Sequence, residues 1–335
     1  MRILLTGIAG FIGFHVATTL LERGDEVVGL DNLNSYYDVR LKKTRLSRIA
    51  RHSGFSFVLA DLSDRDAMER TFAATRPERV IHLGGQAGVR HSISDPHPYV
   101  QSNVLGFLHV LEGCREHRVD HLVFASSSSV HGANAALPWS VHQGADHPLS
   151  FYAATKKSNE LMAHAYAHVH QLPVTGLRFF TVYGPWDRPD MAMYKFASAI
   201  VEGRPLDVYN EGRMRRDFTY VGDVVDGVIR ALDHPARPNP AWSGSAPDPA
   251  TSAAPYRLYN IGSGRPTELL TYITLLEEAF GKRATTRLLP MQPGDAQATW
   301  ADIEEARVDL GYAPRMPLEE GIRRYAAWFK EYYLA

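Results

Sequence analysis

Two side chains that could exchange a proton stand four residues apart near the middle of the chain. Tyr152 and Lys156 enclose the stretch Tyr-Ala-Ala-Thr-Lys, and residues at this spacing share one face of a helix. A phenol with its ordinary pKa near ~10 is a poor base at neutral pH. A neighbouring ammonium and a bound cation would stabilise the phenolate and lower that pKa. The pair therefore predicts acid–base chemistry, although the same spacing also arises by chance.

A run of hydroxyl side chains precedes this pair. Ser126, Ser127, Ser128 and Ser129 follow the apolar stretch HLVFA (121–125), so we expect them where a strand ends. There the hydroxyls could share protons with a sugar. Serines at a strand end are also common turn formers, and both interpretations stay open.

Three glycines near the start of the chain have the spacing of a phosphate-binding turn. Gly7, Gly10 and Gly13 form G-x-x-G-x-x-G after a predicted strand and at the start of a predicted helix. They allow, in order, a tight turn, close approach of a pyrophosphate, and close packing of helix on strand. The helix N-terminus favours an anion. We therefore predict a dinucleotide site, the alternative being a glycine-rich turn that binds nothing.

An acidic residue ends the next predicted strand. Asp31 closes the stretch EVVGLD (26–31), where its carboxylate can accept a hydrogen bond from a ribose 2′-OH and repel a 2′-phosphate. This favours NAD over NADP, and the nicotinamide would be the cation that helps to lower the pKa of Tyr152. Asp61 ends the third strand, where it could meet the adenine or cap the following helix.

Other reactive groups are assigned structural roles. His164 and His168 stand one helical turn apart, but no third ligand is evident, so no metal site is predicted. The single cysteine, Cys114, excludes an internal disulfide or a cysteine-based metal centre and is expected to be a buried thiol.

Two clusters of larger side chains are likewise interpreted as structural. A basic run is expected to be the solvated face of a helix rather than an RNA or phosphate site. It comprises Arg40, Lys42, Lys43, Arg45, Arg48 and Arg51. Aromatic residues near the C-terminus are expected in the core or at an interface. These are Tyr325, Trp328, Phe329, Tyr332 and Tyr333.

Short apolar runs alternate with helical patterns through the first half of the chain, and they would position these side chains. The predicted strands are 3–7, 26–31, 55–62, 79–85, 121–128 and 173–180. Strands rich in Val, Ile, Leu and Phe that are separated by helices predict an α/β fold of the Rossmann type. This fold is a doubly wound parallel sheet with helices on both faces.

The pattern becomes irregular after about residue 180. Helix, turn and short strand are predicted over 195–212, a strand over 257–264, and helices over 221–234, 267–282 and 318–334. The segment 235–255 is rich in Pro, Ala and Ser, which predicts a surface loop with no packed core.

These patterns predict two domains. We expect a dinucleotide-binding domain of residues 1–180 with returning segments at about 217–262. A smaller mixed C-terminal substrate domain would comprise 181–216 and 263–335.

Composition limits the function classes. The chain has 335 residues, 36 basic and 37 acidic side chains, and a formal net charge of −1. This balance argues against a chain built to coat nucleic acid or an anionic membrane. The opening residues read as a buried strand rather than a signal peptide, and no apolar run is long enough to span a bilayer. We expect a cytoplasmic enzyme.

The glycine turn, the serine run and the Tyr-x-x-x-Lys pair, in this order, resemble the extended short-chain dehydrogenase/reductase family. Within it, the chain is most similar to the UDP-glucuronate 4-epimerases over nearly its whole length. The matching stretches are DNLNSYYDVRLKKTRL (31–46), QAGVRHS (86–92), SSSSV (126–130), HPLSFYAATKKSNELMAHAY (147–166), GLRFFTVYGPWDRPDMAMYKF (176–196), DVYNEGRMRRDFTY (207–220) and LPMQPGD (289–295). His131 and the pair Gly84-Gly85 depart from the family pattern, in which a tyrosine and two alanines are usual.

The resemblance implies roles for individual residues. Tyr152 is the implied base, Lys156 positions it and the nicotinamide ribose, and Ser127 relays the proton. Substrate contacts are expected from Arg90, Ser126, Ser127, Ser128, Thr181, Arg188, Lys195, Val208, Arg216 and Asp295. NAD contacts are expected from Gly7, Gly10, Phe11, Ile12, Gly13, Asp31, Asn32, Asp61, Leu62, Gln86, Tyr152 and Lys156. Of the substrate group, Thr181 and Arg188 fall near the sugar carboxylate, and Arg216 suits a diphosphate because a guanidinium fork matches phosphate oxygens.

The implied reaction is NAD-dependent epimerisation at C4 of UDP-glucuronate to UDP-galacturonate, through a transient 4-keto sugar, in a homodimer. A UDP-glucose 4-epimerase is the nearest alternative, separated mainly by Arg188 and Thr181. A uronate decarboxylase or 4,6-dehydratase would carry an acid soon after the hydroxyl of Ser127, where this chain has further serines. A non-catalytic NAD-sensing protein is a fourth alternative, disfavoured because Tyr152, Lys156 and Ser127 are all present.

Overall fold

A computed structural model describes residues 1–292 and 294–334. Its strands are β1 (Arg2–Thr6), β2 (Glu26–Asp31), β3 (Phe55–Leu59), β4 (Arg79–His82), β5 (His121–Ser127), β6 (Val174–Phe179), β7 (Thr181–Tyr183), β8 (Leu206–Tyr209), β9 (Arg215–Tyr220), β10 (Tyr256–Ile261), β11 (Pro266–Glu268) and β12 (Thr286–Leu289). Its α-helices are α1 (Phe11–Glu22), α2 (Val39–Ile49), α3 (Arg65–Thr75), α4 (His91–Ser94), α5 (His97–Tyr99), α6 (Gly106–Glu116), α7 (Phe151–His170), α8 (Ala192–Glu202), α9 (Val221–Asp233), α10 (Leu269–Phe280), α11 (Glu304–Leu310) and α12 (Leu318–Tyr333). A π-helical segment spans Val100–Leu105, and 3₁₀ turns span Ser128–His131 and Asn210–Gly212.

The central sheet has seven strands in the order β3-β2-β1-β4-β5-β6-β10, and every pairing is parallel. From β1 the chain continues outward through β2 and β3 on one side. It then crosses back to β4, which pairs with the other side of β1, and continues outward from there. In open α/β sheets, this reversal opens a crevice at the carboxyl ends of the strands. The fold predicted from the sequence is therefore confirmed, and β10 adds a seventh parallel strand.

Alternate residues of the strands supply two hydrophobic layers. Ile3 and Leu5 of β1 pack in the layer that contains α1 and α9. Leu4, which points to the opposite face, packs in the layer that contains α3, α6 and α7. Cys114 is fully buried in this second layer, as predicted. Because both faces are covered by helices, the strands are almost continuously apolar.

Two small sheets follow the central one. Strands β7, β9 and β11 form a three-stranded sheet, and β8 pairs with β12. Helices α8, α10 and α12 pack around them, and the first hydrophobic layer continues without a break into this part of the chain. Among the C-terminal aromatic residues, Tyr325, Trp328 and Phe329 are buried, which agrees with a role in the core.

Two predictions about exposure need correction. Part of the segment 235–255 is packed, because Ala250 and Ala254 are buried and the carbonyl of Ala250 accepts a hydrogen bond from the backbone of the β10 residue Leu258 at 2.9 Å. In the basic run, Lys42 and Arg45 are buried rather than solvated. Arg45 finds enough carbonyl acceptors inside the protein to satisfy most of its donors, which explains how a guanidinium can be buried there.

No helix within the described part of the chain is long and apolar enough to cross a membrane.

Candidate active site

The glycine turn between β1 and α1 is a close-packed backbone cradle. Gly7 has a φ of +73°, and a Cβ there would lie 2.6 Å from the amide nitrogen of Gly84 on the neighbouring turn. A Cβ on Gly13 would lie 2.1 Å from the carbonyl oxygen of Gly7. Only glycine fits these positions. Helix α1 begins directly behind the turn, and the first N–H groups of a helix have no partner within it.

The cradle forms one end of a cavity of about 420 Å³ at the crevice in the sheet. Its walls include all the predicted cofactor residues: Gly7, Gly10, Phe11, Ile12, Gly13, Asp31, Asn32, Asp61, Leu62, Gln86, Tyr152 and Lys156. A backbone cradle at a helix N-terminus, followed by an acidic strand end, suits the pyrophosphate and ribose of NAD. The residues present therefore fit this cofactor.

The acidic residues at the strand ends are held by local hydrogen bonds. The Asp31 carboxylate accepts from the backbone amides of Ala9 (3.1 Å) and Leu33 (2.9 Å), which fixes it beside the glycine turn. Asp61 accepts from the side chain of Asn32 at 2.7 Å. Asp61 is not the cap of the next helix, because Asp64 takes that position. This removes one of the two roles considered for Asp61.

Side chains from the segment between β2 and α2, and one from α2 itself, complete this end of the cavity and were not predicted. Asn34, Tyr36, Tyr37 and Lys42 line it. The Lys42 ammonium donates to the backbone and side-chain oxygens of Asn34 at 2.7 and 2.8 Å, and burial lowers its pKa to about 8. In the sequence, Lys42 is one of several basic residues expected on a solvated helix face. Only the structure shows that its side chain is buried and lines the cavity.

Arg45, on the same helix, ties three loops together beneath the cavity. Its guanidinium donates to the carbonyl of Ala9 in the glycine turn (2.8 Å) and to those of Trp186 (2.6 Å) and Asp187 (3.0 Å). It also donates to the Tyr37 hydroxyl at 2.8 Å. These contacts hold the cofactor turn against the loop that carries Arg188.

Helix α7 brings the predicted acid–base pair to the cavity wall. Ser150 caps the helix through the amide of Ala153 at 3.1 Å, so Tyr152 lies in the first turn and Lys156 one turn later. Lys156 donates to the carbonyl of Ala125 at 3.0 Å, and burial lowers its pKa to about 8. Both side chains line the cavity, as the spacing predicted.

The surroundings of Tyr152 have opposing effects on its acidity. Burial raises the pKa of Tyr152, while hydrogen bonding to Ser127 and the positive charge of Arg188 act to lower it. The first effect is the largest, so the pKa of Tyr152 lies above its ordinary value. The charged groups of the protein do not by themselves make this phenol a base at neutral pH.

The serines after β5 divide into different roles. Ser126, Ser127, Ser128 and Ser129 all line the cavity, but the Ser126 hydroxyl donates to the buried carboxylate of Glu160 at 2.7 Å. Ser129 donates to the hydroxyl of Ser127 at 2.9 Å. The hydroxyl of Ser126 is therefore already engaged, whereas that of Ser127 lies next to Tyr152.

A buried ion pair supports this turn from below. The two carboxylate oxygens of Glu160 accept from the Arg178 guanidinium at 2.8 and 2.9 Å, and both side chains are almost fully buried. Burial acts most strongly, to raise the pKa of Glu160, but the charge and hydrogen bonds of Arg178, the charge of Lys157 and the Ser126 hydrogen bond together outweigh it and keep the carboxyl ionised. Arg178 also approaches His131, which stacks on Trp139. The residue that departs from the family pattern is thus part of the packed interior.

Asn103 is a second supporting residue that the sequence did not reveal. It lies in the π-helical segment, where its side-chain oxygen accepts from the amide of Gln86 at 2.7 Å. Its amide group donates to the Gln86 carbonyl (3.0 Å) and to the Thr155 hydroxyl (3.1 Å). It joins a cavity loop to helix α7. The irregular helical turn has no simple periodic signature, so no pattern pointed to it.

Arg188 and Thr181 line the same cavity as Tyr152. The Nε and Nη2 groups of Arg188 donate to the two carboxylate oxygens of Asp190, both at 3.0 Å. Asp190 was not among the predicted site residues. The two residues form a bidentate ion pair, in which two N–H groups of Arg188 donate to the two oxygens of one carboxylate.

A second cavity, of about 140 Å³, adjoins the first and shares Ser128 and Ser129 with it. Arg216 and Asp295 line this cavity, and Arg90 reaches it through an ion pair with Asp295 at 2.9 Å. Three predicted substrate residues from distant segments are therefore close together.

Three predicted substrate residues do not themselves line either cavity: Arg90, which pairs with Asp295, and also Val208 and Lys195. The Val208 side chain is buried in β8, and Lys195 is exposed on α8. The two histidines spaced one helical turn apart on α7 were considered above as metal ligands. His164 hydrogen-bonds to the hydroxyl of Ser252 at 2.8 Å, and the described residues contain no group of three or more metal-binding side chains.

These features define a class of protein. A Rossmann-type sheet whose glycine turn, acidic strand end and Tyr152–Lys156 pair surround one cavity is built for oxidation and reduction with a bound dinucleotide. The comparisons with known proteins identify the family. The NAD dependent epimerase/dehydratase family matches residues 3–262. The chain belongs to this family and is an NAD-dependent enzyme of the epimerase type.

Individual relatives cover the whole chain. A probable UDP-glucuronate 4-epimerase of Rhizobium meliloti (strain 1021) is 47% identical, over 99% of this chain and 98% of its own. The crystal structure of UDP-glucuronic acid 4-epimerase from Bacillus cereus in complex with UDP-glucuronic acid and NAD is 33% identical. It superposes with a TM-score of 0.88 and covers 99% and 100% of the two chains. A UDP-glucose 4-epimerase of Thermus thermophilus in complex with NAD has a TM-score of 0.84 at 31% identity, covering 99% and 100%.

Proposed function

We propose that the protein epimerises UDP-glucuronate at C4 to give UDP-galacturonate, with NAD as a retained cofactor and a transient 4-keto sugar. The observation that supports this most strongly is the placement of Arg188 on the same cavity as Tyr152 and Ser127. A fixed cation is thus available beside the acid–base group, where a sugar carboxylate could be recognised.

The residues have the following proposed roles. Tyr152 takes the proton of the sugar 4-hydroxyl and later returns it, with Ser127 orienting that hydroxyl. NAD, when bound, accepts hydride from C4 and gives it back to the other face of the sugar. Lys156, anchored on the carbonyl of Ala125, holds the nicotinamide ribose and stabilises the phenolate. The charge balance is complete because the proton and hydride removed are both restored.

The inverted product requires the sugar to turn while the nucleotide stays fixed. The second cavity, with Arg216, Asp295 and Arg90, is proposed to hold the UDP group. Arg188, Thr181 and Ser128 are proposed to receive the carboxylate. Ser126 is proposed as a support of the turn rather than as a direct contact, because its hydroxyl is bound to Glu160.

The alternatives make different demands on the same cavity. A decarboxylase or 4,6-dehydratase would be expected to carry an acid soon after the hydroxyl of Ser127, whereas this chain has Ser128 and Ser129 there. A non-catalytic NAD-sensing protein would not need an ordered Tyr152–Lys156 pair. The similarity to the Thermus thermophilus enzyme favours a UDP-glucose 4-epimerase. However, UDP-glucose has no carboxylate that the cation at position 188 could bind.

The test compares UDP-glucuronate and UDP-glucose on the wild type and on Arg188→Ala. Loss of a charge-assisted hydrogen bond is expected to lower kcat/KM for UDP-glucuronate by roughly 10- to 150-fold. UDP-glucose, which lacks the carboxylate, should be much less affected. Arg204→Ala serves as the control, because Arg204 is an exposed arginine that does not line either cavity. Equal losses on both substrates, or a wild type that prefers UDP-glucose, would overturn the uronate assignment.

Three further assignments belong to this proposal. We retain residues 1–180 with 217–262 as the cofactor domain, and 181–216 with 263–335 as the substrate domain. This is supported by β7, β8, β11 and β12 of the two small sheets, which lie in the latter segments, while β9 crosses the boundary. A reducing, cytoplasmic compartment is supported by the single free thiol of Cys114. A homodimer is supported by exposed apolar side chains on α7 and on the adjacent π-helical segment.

A further inference from the structure

The ion pair between Arg188 and Asp190 divides the arginine into an engaged edge and a free edge. Nε and Nη2 donate to the Asp190 carboxylate, whereas Nη1 makes no hydrogen bond to any residue in the described ranges. Arg188 lines the cavity and Asp190 does not. The carboxylate therefore binds the guanidinium without itself forming part of the cavity wall.

A tyrosine from another part of the cavity wall approaches the Asp190 carboxylate. The Tyr36 hydroxyl, which lies 3.4 Å from its Oδ2, comes from the segment between β2 and α2. Tyr36 also packs against the backbone of Gly88, where a Cβ would lie 2.5 Å from the hydroxyl oxygen. Burial is the largest single influence and acts to raise the pKa of Asp190, but the charge and hydrogen bonds of Arg188 together with smaller contributions outweigh it, so the pKa is lowered and Asp190 is ionised at neutral pH.

The consequence is a cation that is partly neutralised before any substrate arrives. The Nη1–Nη2 edge of Arg188 can still bind a carboxylate through two parallel hydrogen bonds, but the guanidinium attracts it less strongly than one whose positive charge is unopposed. Here one edge is already occupied by an internal carboxylate, and the negative charge of Asp190 repels a second anion. Because the uronate must turn during the proposed reaction, a moderate affinity of Arg188 for its carboxylate would favour turnover.

We propose that Asp190 is a specificity-determining residue that moderates the affinity of Arg188 for the substrate carboxylate. This role rests on the proposed function, because it requires Arg188 to meet a uronate. Asp190 acts through Arg188 and is a positioning residue rather than a catalytic one. Two effects follow: the uronate binds less tightly than an unopposed arginine would allow, and the sugar is released quickly enough to turn.

The experiment removes the charge of Asp190 and keeps its shape. In the Tyr152→Phe background, which prevents turnover, Asp190→Asn should lower the Kd of UDP-glucuronate by roughly 2- to 5-fold, the scale of a partly exposed ion pair. The Kd of UDP-glucose should stay unchanged. With Tyr152 restored, kcat for UDP-glucuronate should fall. Asp190→Glu, which keeps the charge, should retain wild-type behaviour, and Asp190→Ser supplies a second uncharged variant if the asparagine variant folds poorly.

Several controls separate the outcomes. Glu202→Gln breaks another arginine–carboxylate pair, with Arg204, outside the cavity and should change neither Kd. Adding Asp190→Asn to Arg188→Ala should change the Kd of UDP-glucuronate by a different factor from Asp190→Asn alone, because residues in contact are not additive, and an equal factor in both backgrounds would overturn the proposal. An unchanged or higher Kd in Asp190→Asn, an equal change for both sugars, or an unchanged kcat would overturn the proposal. Failure of the wild type to turn over UDP-glucuronate would instead reject the proposed function.

Discussion

At the scale of single residues, the acidity of Tyr152 depends on more than its sequence neighbour. The spacing to Lys156 predicted an ammonium that lowers the phenol pKa. In the structure, Lys156 is bound to the carbonyl of Ala125, and the opposing influences on the Tyr152 pKa are burial on one side and Ser127 with Arg188 on the other. Arg188, which the spacing argument did not include, is therefore one of the groups that act to lower the pKa of Tyr152.

Replacement of Tyr152 by phenylalanine tests its role as the base. Because the ring is kept and only the proton acceptor is lost, Tyr152→Phe should lower kcat by about 10²- to 10⁴-fold. NAD should remain bound, since the glycine turn and Asp31 are unaffected. Tyr166→Phe is a matched control on the same helix, because its hydroxyl binds Glu112 away from the cavity. Near wild-type turnover in Tyr152→Phe, measured by NMR of the product sugars, would reject the assignment.

At the scale of elements, loops that look independent in the sequence are joined by buried polar contacts. Arg45 joins the glycine turn to the loop around Trp186, and Asn103 joins a cavity loop to α7. A third contact also joins two segments but lies on the surface. His142 bonds to Asp248 at 2.9 Å and to Glu305 at 3.4 Å, so it ties the segment 235–255 to α11.

This surface contact should make the stability of the protein depend on pH. Partial burial acts to lower the pKa of His142, but the hydrogen bond to Asp248 and the charges of Asp248 and Glu305 outweigh it and raise the pKa. A group whose pKa is raised by folding stabilises the folded state fully below its unfolded pKa, about 6.5. The contribution is lost as the pH rises through the folded pKa.

The comparison is between the wild type and His142→Gln by thermal unfolding. The Tm of the wild type should exceed that of the variant most at about pH 6, and the difference should shrink by about pH 9. His168→Gln, which changes an exposed histidine on α7, should show no such trend. A Tm difference that is independent of pH, or that grows as the pH rises, would contradict the role of the charged His142.

At the scale of the whole molecule, apolar surface remains on the outside of α7. Leu161 is 62% exposed and Val169 is 68% exposed. The π-helical segment that packs against α7 carries Val100, which is 40% exposed. Neighbouring helices with exposed apolar side chains suit a two-fold symmetric contact between copies of the chain.

A charge placed on this surface should separate the proposed dimer. Light scattering after size-exclusion chromatography should give the wild type twice the chain mass of 37.4 kDa. Leu161→Arg should give a single chain mass, because a buried, unpaired charge opposes association. Val308→Arg alters a residue on α11 that is equally exposed, at 63%, and should stay dimeric. A wild type of single chain mass would reject the dimer, and an unaffected Leu161→Arg would reject this surface.

The sequence by itself determined the features that depend on neighbours along the chain. These include the strands and helices of the central sheet, the glycine turn that only Gly7 and Gly13 can form, and the shared helical face of Tyr152 and Lys156. Such features follow from backbone sterics and from apolar periodicity within a few residues.

Only the tertiary structure decided which polar groups meet across loops. It turned Lys42 and Arg45 inward from an apparently solvated run, bound the hydroxyl of Ser126 to Glu160, and set Tyr36 against the Asp190 that holds Arg188. The physical reason is that a polar side chain has several acceptable partners in the sequence. Packing of distant segments then buries it beside one of them, and the cost of an unsatisfied buried group selects that partner.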